Sequence, residues 1–211
     1  MAKSPWCEVC PLFKEAGPVL SSGPTTCAIA FIGEAPGNEE TKTGAPFTGG
    51  SGRVLTRIAA SAGINRHDCF ITNVVKCRPP NNRTPTPAEI AQCVHNPDRV
   101  NGKPIGLLQE LSELKCRTVI PLGAVALQSV AAKRGIESWR GSILNGKNCF
   151  VVPTLHPAAV MRTPEFIPVS VADLRRAHST CSREFPHNVP EEYKLYPTTH
   201  EVANFFNRPP K

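Results

Sequence analysis

Short apolar runs alternate with stretches of helical periodicity along this chain. Residues 28–32 read AIAFI and stop at Gly33, and residues 70–77 read FITNVVKC. Residues 118–122 and 150–155, TVIPL and FVVPTL, repeat the type. Such β-branched and apolar runs, bounded by Gly, Pro and polar residues, predict buried strands. Between the first two, Val54, Leu55, Ile58 and Ala59 fall on one face of a helix over residues 51–62. Thr86-Pro87-Ala88-Glu89 predicts a second helix running to about Val94, with Pro at its first position and Glu at its third. Further helices are expected over residues 105–114, 124–134 and 169–177. Four strands separated by helical crossovers predict an α/β fold, a three-layer αβα sandwich around a four-stranded parallel sheet. One domain is expected over residues 1–177, its first 26 residues an arm that must be tied down. Residues 95–104 read as a polar excursion. Residues 178–211 read as a surface extension with one short helix near 201–206.

Composition narrows the partners. A chain of 211 residues can bury one substantial core, and its net charge of +7 favours a polyanion. No early apolar run is long enough to span a bilayer and none before Cys7 resembles a signal, so a cytoplasmic protein with no membrane partner is expected. A monomer is expected as well. Nine cysteines is many for such a chain. Cys27, Cys69, Cys116 and Cys149 stand just before predicted strands, where small buried hydrophobes fit. Cys181 carries no pattern. Cys7-x-x-Cys10 forms one pair, and Cys77 and Cys93 flank a Pro- and Arg-rich loop as another. Two thiolate pairs suit zinc or a 4Fe–4S cluster, and His95 keeps a zinc variant open.

Open parallel sheets bind ligands beyond the carboxyl ends of their strands. Gly33-Glu34-Ala35-Pro36-Gly37 follows the first strand, and its glycines allow close backbone approach. Asn73 and His156 lie near the ends of the second and fourth strands. Each residue alone is ordinary; three polar groups converging on one edge point to a site.

These motifs together resemble the family 4 uracil-DNA glycosylases, the iron–sulfur branch of their superfamily, over residues 7–162. CEVCPL resembles the amino-terminal cysteine pair, and GEAPGNEETKTGAPFTG the first active-site motif. TNVVKCRPPNNRTPTPAEIAQC resembles the Asn strand with the second cysteine pair. LGAVALQSV resembles the third strand-to-helix junction, and HPAAVMR the histidine loop. The resemblance implies a monofunctional, DNA-repairing hydrolase that cuts the N-glycosidic bond of uracil in DNA and leaves an abasic site. It implies a 4Fe–4S cluster on Cys7, Cys10, Cys77 and Cys93. Phe47 would stack on the flipped base, Asn73 would read its edge, and His156 would face a carbonyl oxygen of the base. Glu34 would help position the attacking water, and Glu40 would steady the loop. Gly33 and Ala35 complete the expected base-binding set.

The chemistry asks for these types. A base must leave the stack to be reached. Cleavage puts negative charge on the base and positive charge on the sugar, which a histidine donor and a carboxylate stabilise. An amide both donates and accepts, which suits telling uracil from cytosine. Arg78 and Arg83 are expected on DNA. Val160 and Met161, beside Arg162, have the character of a wedge that fills the gap left by a flipped base.

The chain departs from the pattern in places. Ala35 stands where the best-known branch has a water-activating aspartate, and Thr41 follows Glu40 in place of an acid. Gly49, Gly50, Ser51 and Gly52 give little side-chain bulk beside Phe47. An open wall rejects ring substituents poorly, so uracil excision with tolerance at the 5-position is expected. Two alternatives follow. One is excision of a 5-substituted pyrimidine such as a substituted cytosine, for example in defence against foreign DNA. The other is a non-catalytic iron–sulfur DNA-binding protein.

Overall fold

The computed structural model describes residues 5–14, 17–146 and 148–183. In chain order the elements are α1 (Pro5–Glu8), β1 (Thr26–Gly33), α2 (Asn38–Thr43), α3 (Gly50–Ser61), β2 (Phe70–Asn73) and α4 (Pro87–Val94). Then come β3 (Arg99–Val100), β4 (Lys103–Pro104), α5 (Leu107–Glu113), β5 (Lys115–Pro121), α6 (Gly123–Ala131) and α7 (Ile136–Trp139). β6 (Leu144–Asn145), β7 (Phe150–Val151), α8 (Pro157–Arg162) and α9 (Ile167–Thr180) close the described fold.

The main sheet runs β2-β1-β5-β7-β6. The first four strands are parallel, as the sequence pattern predicts, and the fifth is an antiparallel edge that no apolar run announced. Alternation along β1 sorts the layers. Ile29 and Phe31 face Leu55 and Ile58 of α3 and Leu174 of α9. Ala30 and Ile32 face the opposite core, with Ala126 and Val130 of α6 and Leu107 of α5. Helices therefore cover both faces of the sheet. Thr86 caps α4 in a reciprocal capping box with Glu89, at the predicted place.

Other differences have local causes. β2 ends at Asn73, four residues early, because the chain bends to send Val74 and Val75 N–H to the carbonyls of Gly33 and Glu34. β7 is only two residues long: beyond it Val152 and Thr154 N–H still bond the Val119 and Pro121 carbonyls, but Pro121 of β5 has no N–H to return a bond. The polar excursion is the small antiparallel hairpin β3–β4. The arm is tied down as required. Trp6 Nε1 donates to the Gln92 carbonyl at 2.8 Å and Gln92 Nε2 returns a bond to the Trp6 carbonyl. Val19 N–H donates to the Lys76 carbonyl. α9 extends to Thr180, past the end expected for it at residue 177. The short helix expected near 201–206 lies outside the described residues. Among the described residues no helix is long and apolar enough to cross a membrane.

Candidate active site and metal centre

Register brings the first two expected residues together: Gly33 of β1 pairs with Asn73 of β2. A Cβ at Gly33 would stand 2.5 Å from Phe47 Cζ and would strike the Asn73 amide as well, so only glycine lets both side chains close over the strand end. Asn73 is 2% exposed, and its Oδ1 has no hydrogen-bond partner among the described residues. Buried acceptors are nearly always satisfied, so an orphan at a strand's carboxyl end is a candidate ligand contact. The Phe47 ring lies 6.0 Å from the His156 ring, tilted by 34°. Phe47, Asn73 and Gly33 thus meet at one place, with His156 beside them. Ala35 follows on the same turn and is partly buried.

His156 caps α8. Its Nδ1 accepts the Ala158 N–H at 3.1 Å, so the neutral ring carries its proton on Nε2. Burial, with the Arg162 charge adding to it and Glu40 opposing, pushes the His156 pKa down to about 4. The imidazole is therefore neutral at pH 7 and presents a fixed N–H donor. Burial also raises the Glu34 carboxyl above its ordinary range, partly offset by the Thr84 hydroxyl. Glu40 is buried and accepts the N–H groups of Gly37 and Gly49, at 3.1 and 2.9 Å. It straps the two ends of the loop that carries Phe47.

The glycines after Phe47 are not an open wall. A Cβ at Gly52 would strike the Phe47 carbonyl, one at Gly49 would stand 3.1 Å from Glu40 Oε1, and one at Gly50 3.1 Å from Met161 Sδ. Close approach explains their lack of side chains.

The histidine loop also needs correction. Val160 is 1% exposed and packs inside, so it cannot wedge into DNA, whereas Met161 is 50% exposed and Arg162 is exposed. Arg83 was expected on DNA, but its guanidinium forks onto Glu89 at 2.7 and 2.8 Å and holds that carboxyl down to about pKa 2. It braces the proline loop. Arg78 bonds Asn82 and Asn38, tying that loop to α2.

The cysteines divide into two sets. Cys7, Cys10, Cys77 and Cys93 line one hollow of about 300 Å³, part of it open to solvent, between the arm and α4. Two N–H groups point at its sulfurs: Asn96 Nδ2 to Cys7 Sγ at 3.2 Å and Lys76 N–H to Cys93 Sγ at 3.3 Å. Asn96 lines the hollow, whereas His95 is exposed beside it. Burial drives the Cys93 thiol up to about 11 and Cys77 higher, with the neighbouring cysteines adding to the rise. Among the described residues no three His, Cys, Asp or Glu gather in a way that would hold a single metal ion. The other set follows the starts of the strands. Cys69 is buried, and Cys27, paired with Cys116 across β1 and β5, packs with Cys116 and Cys149 against one core. Cys181 lies near Thr118.

Sequence reasoning missed the brace beneath the pocket. Lys76, fully buried, donates through Nζ to Thr72 Oγ1 at 2.7 Å, the Asn73 carbonyl at 2.5 Å and Glu110 Oε2 at 2.7 Å. A lysine within the run 70–77, directly after Val74 and Val75, was the available signal.

The model of the family described as "Uracil DNA glycosylase superfamily" matches residues 20–175. The type-4 uracil-DNA glycosylase of Thermotoga maritima is 39% identical over 186 residues, covering 84% of this chain and 91% of that protein. Its counterpart in Archaeoglobus fulgidus is 33% identical over 85% of this chain and 90% of its own length. That of Pyrobaculum aerophilum is 36% identical over 75% and 81%. The family match takes in every strand of the sheet and the pocket from Gly33 to His156, and the chain belongs to the uracil DNA glycosylase superfamily.

Proposed function

We propose that this protein is a uracil-DNA glycosylase that hydrolyses the N-glycosidic bond of a flipped uracil and leaves an abasic site. The relatives named type-4 uracil-DNA glycosylases support the class. The observation that carries the substrate is the buried, unpartnered Oδ1 of Asn73. Uracil offers an N3–H to such an acceptor and a 4-oxo group to the amide N–H. Cytosine reverses both, placing acceptor against acceptor and donor against donor. A site built to bond one edge rejects the reversed edge strongly.

Roles for the other groups follow from their chemistry. Phe47 stacks on the base. The Nε2–H of neutral His156 donates to the 2-oxo group, where negative charge gathers as the bond to the sugar breaks. Being neutral, it donates without surrendering a full proton. Glu34 faces the positive sugar and, in its ionised form, orients the water that attacks it. Arg162 contacts phosphate and Met161 fills the vacated stack.

The four-cysteine hollow fits a 4Fe–4S cluster better than zinc. A zinc ion draws its sulfurs to about 2.3 Å from one point, whereas these thiols stand around a hollow. Backbone and amide N–H donors to sulfur suit cluster ligands. Bound there, the cluster would join the arm to the segment between β2 and α4, a structural task; the bond cleavage needs no electron transfer. Iron with acid-labile sulfide in anaerobically purified protein supports this assignment, and stoichiometric zinc without iron refutes it.

The functional test is single-turnover release of free base from duplexes carrying uracil, cytosine or their 5-substituted forms, with alkali cutting each abasic site. Uracil is expected to be released and cytosine retained. Release confined to a substituted cytosine overturns the proposal, and binding without any release leaves a DNA-binding protein.

A further inference from the structure

Phe47 holds its ring over Gly33 from a backbone conformation that its side chain disfavours. Its φ is +55°, in the left-handed region where bulky residues are rare. Such a conformation persists only where surrounding structure over-determines it, and it belongs at functional sites. Gly52 packs its bare Cα against the Phe47 carbonyl from one side. Glu40 straps the loop through the N–H groups of Gly37 and Gly49. Neither contact bonds the Phe47 carbonyl itself.

Arg66 does. It sits in a single 3₁₀ turn, Arg66–Asp68, between α3 and β2. Its Nη2 donates to the Phe47 carbonyl at 2.7 Å and to the Pro46 carbonyl at 3.1 Å. Its Nη1 donates to Thr56 Oγ1 at 2.8 Å and to the Gly52 carbonyl at 3.1 Å. One planar guanidinium thus joins two consecutive carbonyls of the strained loop to the first turns of α3. A rigid fork with fixed donors can do this; a lysine ammonium, a point charge on a flexible stem, cannot span the four acceptors.

We infer that Arg66 is a positioning residue that acts through Phe47, holding the aromatic platform in place against which the flipped base stacks. The inference rests on the proposed reading of Phe47 as that platform. All four of the Arg66 hydrogen bonds go to protein acceptors. Its effect is on the precision of the bound geometry, where an error of about 1 Å costs about a hundredfold in rate.

A double-substitution cycle tests this. Arg66→Gln is expected to slow single-turnover uracil release about tenfold to a hundredfold, with Arg66→Lys between it and the parent. In a Phe47→Ala background the same Arg66→Gln change should cost less than about twofold more. A general structural defect would instead multiply the two losses, and full multiplication overturns the inference. Hydrogen exchange at residues 44–50 is the second arm and needs no activity. Faster exchange there in Arg66→Gln, with the strands of the sheet unchanged, supports the clamp; unchanged exchange in the loop refutes it. Should the parent release no uracil, the functional reading fails while the exchange arm still decides the clamp.

Discussion

Asn73 and Lys76 lie three residues apart at the end of one strand, and both are buried. Lys76 has three acceptors within 2.7 Å of its ammonium, and Thr72 closes the circuit by donating to Glu110. Asn73 presents an oxygen with no partner among the described residues. Glu110 also keeps one oxygen unpartnered, but its charge is met through the other. The brace finds its partners within the chain, whereas the Asn73 acceptor at the strand end is left open; among the described residues Arg140 Nε and Ser170 Oγ are the other buried groups without a partner. The two regions touch, since Lys76 bonds the Asn73 carbonyl, so the satisfied brace holds Asn73 in place.

Breaking the brace should show in stability. Lys76→Met leaves the Glu110 carboxylate buried without its cation, which is expected to cost about 3–5 kcal/mol. A denaturant midpoint measures this, and replacing both residues by apolar ones should recover most of it. A Lys76→Met midpoint equal to the parent's would remove the contrast.

Breaking the pocket should show chiefly in rate, with only the small loss of midpoint that follows from removing the α8 cap. His156→Ala is expected to lower single-turnover excision about a hundredfold to a thousandfold, the usual loss of one donor to developing charge. Parent-like turnover would show that the donor lies elsewhere.

pH sharpens the comparison further. Glu34 works ionised, and its raised pKa brings protonation on at a higher pH than for an ordinary glutamate, so the rate falls as pH drops through that raised value. His156 is already neutral above about 4, so it contributes no loss around 6.5. An acid limb that disappears in Glu34→Gln supports this. A limb near the ordinary histidine value of 6.5 that disappears in His156→Gln contradicts it. The smallest effect is expected at the surface: Met161→Ala should slow paired substrate a few-fold and leave single-stranded substrate unchanged. Equal loss on both would count against a wedge.

Much of this was legible because it is local. Apolar runs mark the strands, and a residue just past a run lies at the sheet's carboxyl edge, which is how Glu34 and His156 stand out; Asn73 stands inside the run 70–77 and reaches the edge because β2 ends there. What escaped depends on contacts far along the chain. Arg66 reaches back 19 residues to the Phe47 carbonyl, and Lys76 reaches forward 34 to Glu110. Periodicity carries no trace of either. Val160 and Met161 look alike in sequence, yet one residue turns the side chain by about 100° around a helix, burying the first and exposing the second. The glycines after Phe47 announced missing side chains but not that a carbonyl, a carboxylate and a thioether occupy their space.

The central claim is that the open acceptor of Asn73 reads the base. It is tested most directly by single-turnover base release from two duplexes that differ only in uracil or cytosine at one position, with the parent and with Asn73→Leu. The parent should prefer uracil by at least about ten-thousandfold, as sites built to bond a polar edge do. In Asn73→Leu the preference should collapse through loss of uracil release, while the denaturant midpoint stays at or above the parent's. A preference for uracil that survives intact in Asn73→Leu would contradict the account.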